Sequence, residues 1–139
     1  MTREGVLQLL HDVEGVVGTF IADGQGELLA QLCPPEISEP ALRRTALRLA
    51  RIMRCADLCE LDVRRCDLRF DRYQLLVWRF AGGVLGVLAR APVKKRALGM
   101  AARLVVREIQ PVLFAAASEA EDEVTSQYPS TRRSRDNVS

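Results

Sequence analysis

Three short runs, Val16–Ala22, Tyr73–Phe80 and Val84–Ala89, are apolar at nearly every position rather than at alternate ones. A strand that meets water on one side alternates polar and apolar residues, whereas one apolar throughout needs cover on both faces. A chain carrying three such strands must set them inside a sheet with helices above and below it. With 48% hydrophobic residues in 139, it can bury a core of that kind without disulfides or metal.

The segments between these runs supply the cover. Residues 3–12 place Val6, Leu7, Leu9 and Leu10 at helical spacing behind Thr2, a capping residue type. Gly15 ends that helix, and Asp23-Gly24-Gln25-Gly26 turns the first strand back into a second, residues 27–31, which Cys33-Pro34-Pro35 terminates. Ser38, Glu39 and Pro40 have the composition of a helix start, and residues 41–56 follow with Leu42, Ala46, Leu49 and Met53 on one stripe. From Leu58 the period changes to two and slips by one residue at Arg64-Arg65, so residues 58–70 are expected to form one long strand containing a β-bulge. Asp71-Arg72 and Gly82-Gly83 turn the chain into the last two strands. Beyond Pro92, residues 93–118 are expected to form a helix with Leu98, Ala101, Leu104, Val105 and Ile109 inward and a kink at Pro111. The expected order is α-β-β-α-β-β-β-α, with the central helix on one face and the terminal helices on the other. Residues 1–118 make one domain, and residues 119–139 a charged, flexible tail.

The charge pattern excludes several function classes. Twenty basic and 18 acidic residues leave a net charge of +2, which argues against nucleic acid or a membrane surface as partner. No secretory signal or membrane-length apolar stretch is visible, and a soluble, cytoplasmic chain is expected. Neither a phosphate-binding loop ending in Gly-Lys-Ser/Thr nor a nucleophile motif beside the single His11 is present. Gly24-Gln25-Gly26 fits a hairpin turn better than a nucleotide loop. The spacing of Cys33, Cys55, Cys59 and Cys66 does not match paired zinc ligands, so reduced thiols buried as small hydrophobes are expected. No catalytic residue, cofactor or metal ligand is assigned, and the chain is not expected to be an enzyme.

The layout resembles the roadblock/LC7 family. The resemblance is carried by Leu10–Ala30, with Val13-Glu14-Gly15-Val16-Val17-Gly18 leading to Asp23-Gly24. It is carried also by Asp67-Leu68-Arg69-Phe70-Asp71-Arg72 running into Leu75-Leu76-Val77 and Gly83-Val84-Leu85, and by Ala101-Ala102 in the last helix. It spans residues 3–118. It implies an α/β, profilin-like three-layer α-β-α sandwich around a five-stranded, mainly antiparallel sheet. It also implies a homodimer, or a heterodimer with another roadblock protein, in which third strands pair edge to edge and central helices lie side by side. Members of the family serve as dynein light chains, as scaffold subunits, or as bacterial regulators of small Ras-like GTPases that dock near the central helices. The long charged 58–70 segment and the arginine-rich central helix depart from the family pattern.

Two sets of residues follow as candidate sites. On the central helix, Arg44, Arg48 and Arg51 form a stripe opposite the apolar one, broadened by Arg43 and Arg54 beside Leu47. Repulsion along that stripe favours an acidic partner surface, although arginine is also a common residue on a solvated helix face. On the 58–70 segment, Glu60, Asp62 and Asp67 alternate with Arg64, Arg65 and Arg69. Antiparallel self-pairing can set acids against arginines there, at a dimer interface, or the charges can simply meet water. The function expected is a non-catalytic adaptor that regulates a GTPase, by activating it or serving as a platform. The alternative is a structural assembly subunit with no effect on nucleotide turnover.

Overall fold

The computed structural model describes residues 2–70, 72–90 and 93–127. Its elements run α1 (Arg3–His11), β1 (Val16–Asp23), β2 (Leu28–Leu32), α2 (Glu39–Leu58), β3 (Arg65–Arg69), β4 (Gln74–Phe80), β5 (Gly83–Ala89) and α3 (Lys95–Gln127), the order expected. The strands form one antiparallel sheet ordered β2-β1-β5-β4-β3. The three strands apolar on both faces are thus the three interior ones, and β2 and β3 are the edges.

Alternation along the strands divides the core into two layers. Ile21, Leu76, Leu85 and Val87 point to one face and pack with Val6, Leu7 and Leu10 of α1 and Leu98, Ala102, Val105 and Ile109 of α3. Phe20, Ala22, Leu75, Val77 and Val84 point to the other, against Leu42, Ala46, Leu49 and Met53 of α2. The α3 stripe differs from the expected one by a single step. Ala102 is buried in place of Ala101, and Leu104 is 46% exposed while Val105 is fully buried.

Local chemistry explains the ends of these elements. Thr2 caps α1, its hydroxyl accepting from the Gly5 amide at 3.0 Å, and Ser38 caps α2, accepting from Ala41 at 3.2 Å. Asp23 organises the first hairpin, with Oδ1 accepting from the amides of Gln25 and Glu27, both at 2.9 Å. Gly26 completes the turn at φ +85°, pressed against the backbone of Leu47 in α2. That contact seats the hairpin on the central helix.

The segment 58–70 is not one long bulged strand. Helix α2 continues to Leu58 and ends in a Schellman arrangement: Glu60 adopts φ 59°, its amide donates to Asp57 O at 3.1 Å, and Leu61 donates to Ala56 O at 2.8 Å. Glycine usually marks such a stop, and glutamate here conceals it. Residues 61–64 then run as a loop, and β3 begins at Arg65, so the slip in alternation marks the strand's start. The bulges lie in β1, at Val16/Gly18 against β5 and at Ile21/Ala22 against β2. Helix α3 passes through Pro111 and on to Gln127, so the expected boundary at 118 falls inside it. Asp71, Pro92 and residues 128–139 lie outside the described residues.

Candidate functional site

The outward face of α2 dominates the surface on its side of the sheet. Because Leu42, Ala46, Leu49, Met53 and Ala56 are buried, Arg43, Arg44, Arg48, Arg51 and Arg54 are all driven to the exposed face. Only Arg43 has an acidic partner among the described residues, Glu39 at 3.2 Å one turn back. The ridge is not purely cationic. Leu47 and Ile52 are 45% and 41% exposed within it, and Leu58 and Leu61 are 79% and 58% exposed at its C-terminal end. Apolar side chains interleaved with guanidiniums suit a protein surface, since arginine and large apolar groups are enriched in interfaces.

A cleft of about 290 Å³ opens where the ridge ends, between α2 and the β1–β2 and β4–β5 hairpins. Asp23, Gly24, Met53, Arg54, Asp57 and Arg79 line it. Its lining includes a bidentate ion pair, with Arg79 Nη1 donating to Asp57 Oδ1 at 2.8 Å and Nη2 to Oδ2 at 2.6 Å. The hydrogen bonds from Arg79 hold the Asp57 carboxyl below the ordinary carboxylate range, and those to Asp57 raise the Arg79 guanidinium. Arg79 is thereby engaged, which leaves Arg54 as the cleft's outward cation. Sequence reading missed this cleft, although Arg79 is the single charge in the apolar run 73–80 and signals a partner on another element.

The second set of residues divides. Arg65, Asp67 and Arg69 lie along β3, all exposed on one side of the edge strand, while Cys66 and Leu68 turn inward toward the α2 layer. Asp67 is held firmly. The Gln74 amide donates to both carboxylate oxygens, at 2.8 and 2.9 Å, and Lys95 of α3 approaches to 3.5 Å. Gln74 first and Lys95 second keep this carboxyl below its ordinary range. Glu60, Asp62 and Arg64 are not on the strand. Glu60 forms the helix stop, and Asp62 pairs with Arg64 at 3.2 Å in the loop, both well exposed.

The remaining candidates have structural partners or none. His11 Nε2 meets the buried Thr19 hydroxyl at 3.1 Å across the α1–β1 junction. The four cysteines are free thiols, but only Cys33 and Cys66 are half-buried, whereas Cys55 on α2 and Cys59 at its C-cap are exposed. Both sit one turn apart on the helix's outer side, so the expectation of buried thiols fails for this pair. Among the described residues no group of three or more His, Cys, Asp or Glu could hold a metal ion. No helix among them is long and apolar enough to cross a membrane.

No protein-family model matches the sequence, and no curated relative matches it. Solved structures do match. A roadblock/LC7 domain from Streptomyces avermitilis superposes with a TM-score of 0.65 at 19% identity, covering 78% of this chain and 93% of that one. The fold is that of the roadblock/LC7 domain. Myxococcus xanthus MglB shares it with a TM-score of 0.67 at 13% identity, over 81% of this chain and 95% of its own. MglC from the same organism does so with a TM-score of 0.53 at 13% identity, over 77% and 94%. In the roadblock fold seen here, the arginine ridge, the cleft and the β3 edge lie on or beside the central helix and the free edge strand.

Proposed function

We propose that this chain is a non-catalytic, dimeric adaptor that binds and regulates a small Ras-like GTPase. The observation that carries this reading is the outer face of α2, five exposed arginines interleaved with Leu47 and Ile52 and ending at a cleft. Four of these guanidiniums have no acid beside them among the described residues, so an acidic partner surface gains charge pairing without first breaking internal pairs. Apolar Leu47 and Ile52 supply the area that charge alone cannot. The bacterial roadblock proteins that the sequence resembles dock Ras-like GTPases near this helix, which supports the same assignment. Residues Arg43, Arg44, Leu47, Arg48, Arg51 and Arg54 form the docking surface, and β3 provides the dimer edge.

The test pairs binding with turnover. A Ras-like GTPase from the same genome, loaded with GDP or with a non-hydrolysable GTP analogue, should be retained by the immobilised chain in one nucleotide state over the other. Its GTP hydrolysis should change when the chain is added. The triple variant Arg44→Glu/Arg48→Glu/Arg51→Glu should fold normally and lose retention by at least tenfold. Equal retention in both states together with unchanged turnover favours the structural-subunit reading instead. Retention that survives the triple reversal removes the ridge from the interface.

A further inference from the structure

Two thiols at the C-terminal end of α2 stand apart from the other soft donors of the chain. Cys55 and Cys59 are exposed, and the Cys59 amide donates to the Cys55 carbonyl at 3.0 Å, so one α-helical turn separates them. The remaining cysteines and the single histidine are engaged elsewhere. Cys33 is half-buried with its Sγ donating to Thr19 O at 3.6 Å, and burial holds its thiol above the ordinary range. Cys66 is half-buried in the layer beneath α2, and His11 Nε2 meets the Thr19 hydroxyl. Among the described residues no cluster of three His, Cys, Asp or Glu offers a metal site, so Cys55 and Cys59 act as a pair or not at all.

Distances decide what such a pair can do. Cβ atoms one helical turn apart are separated by about 5–6 Å, whereas a disulfide needs them about 3.5–4.5 Å apart. Closing that bond would distort the last turn of α2, which carries Asp57 and leads into the Glu60 stop. A bridging ion is better matched. On the scale of the zinc–thiolate bond, about 2.3 Å, two sulfurs on one ion stand up to about 4.6 Å apart. Each Sγ lies one bond beyond its Cβ, so staggered rotamers bring the sulfurs to that separation without moving the backbone. Zinc takes four donors, and this pair supplies only two. Copper(I), a soft monovalent ion, is satisfied by two thiolates in line.

The surroundings suit that complex. Two thiolates on one monovalent ion leave a single negative charge. Arg51 lies one turn before Cys55 and Arg48 two turns before it, both exposed and neither with an acidic partner among the described residues. Ile52 and Leu58, each three residues from Cys55, place exposed apolar side chains on either flank of the pair. We propose that Cys55 and Cys59 form a two-coordinate binding site for copper(I). Binding forms two copper–sulfur bonds and releases the two thiol protons to solvent. The site goes beyond the GTPase role and does not rest on it.

Competition with the coloured copper(I) chelator bicinchoninate tests this, on the full reduced chain without oxygen. The chain should withdraw one copper(I) per molecule, and X-ray absorption should count two sulfur neighbours. Cys55→Ser and Cys59→Ser should each weaken binding beyond the roughly 10–100-fold cost of losing a group that only orients a ligand. Cys33→Ser and Cys66→Ser should leave it unchanged. Circular dichroism on each variant separates loss of a ligand from loss of the fold. Copper that stays with the chelator, or transfer that survives the double variant Cys55→Ser/Cys59→Ser, overturns the proposal. So does a count of three or four sulfurs, because the ion is then shared with another thiol. Displacement of copper(I) by an equal concentration of zinc(II) overturns it as well. No readout involves a GTPase, so failure of either reading leaves the other standing.

Discussion

At the scale of single residues, the interior of the sheet depends on one glycine. Gly86 in β5 faces Phe20 of β1 and Val77 of β4, and the Phe20 ring lies directly over the place a β-carbon would occupy. Phe20 is fully buried and belongs to the layer beneath α2, so it has no free direction in which to move. Gly86→Ala should cost about 1–3 kcal/mol as an overpacking change, measured as a lower urea midpoint with unchanged slope. The Asp57–Arg79 pair makes a prediction about pH. A carboxyl whose folded pKa is depressed contributes stability above its unfolded value of about 3.9. That contribution disappears as pH falls through the lower folded value. Asp57→Asn should therefore be less stable than wild type at pH 7, and the two urea midpoints should converge as pH falls through that lowered value. A gap that persists in acid shows that Asp57 acts through packing. Neither residue announces its role in sequence: Gly86 reads as an ordinary strand glycine, and the Arg79 partner lies 22 positions away on another element.

At the scale of elements, legibility tracked how local the deciding interactions are. Helix α2 was readable because its start is written in three adjacent residues and its buried stripe in a 3.6 period. Ser38→Ala should remove one capping bond at a cost of about 1 kcal/mol, and Leu49→Ala, at 1% exposure, about 2–5 kcal/mol. Both are measurable by chemical denaturation, and a smaller cost for Leu49→Ala than for Ser38→Ala contradicts the packing described. The far end of α2 was not readable, because Glu60 adopts a left-handed conformation that glycine or asparagine usually signals. Misplacing that stop by a few residues turned a helix end, a loop and a short strand into one long strand. Half of the residues assigned to an edge thereby moved off the strand, Glu60 into the helix stop and Asp62 and Arg64 into the loop. The arginine ridge was legible because a helix that buries one stripe must expose the other. The cleft was not, since it is assembled from two hairpins and a helix end that only the tertiary fold brings together.

At the scale of the whole molecule, the shortened β3 makes the proposed edge pairing specific about register. Antiparallel self-pairing centred on Asp67 sets Asp67 against its own copy and Arg65 against Arg69, which repels at every charged position. Moving the centre by one residue to Leu68 sets Asp67 opposite Arg69 twice, and brings half-buried Cys66 opposite Phe70, which is 54% exposed in the single chain. That register satisfies both the charges and the exposed ring. Asp67→Arg converts two attractive cross-strand pairs into repulsive ones. At about 0.2–1 kcal/mol per pair in each direction, the dimer should weaken by about 1–4 kcal/mol, roughly five- to several-hundred-fold in Kd. Adding Arg69→Asp to the same chain should recover most of that loss even though the Gln74 and Lys95 contacts to Asp67 stay broken, because the exchanged charges again face opposite ones. Sedimentation velocity across a dilution series reads both effects. Recovery by Arg65→Asp in place of Arg69→Asp points to a pairing centred on Cys66 instead, and a mass of one 15.5 kDa chain at micromolar concentration removes the edge-paired dimer altogether.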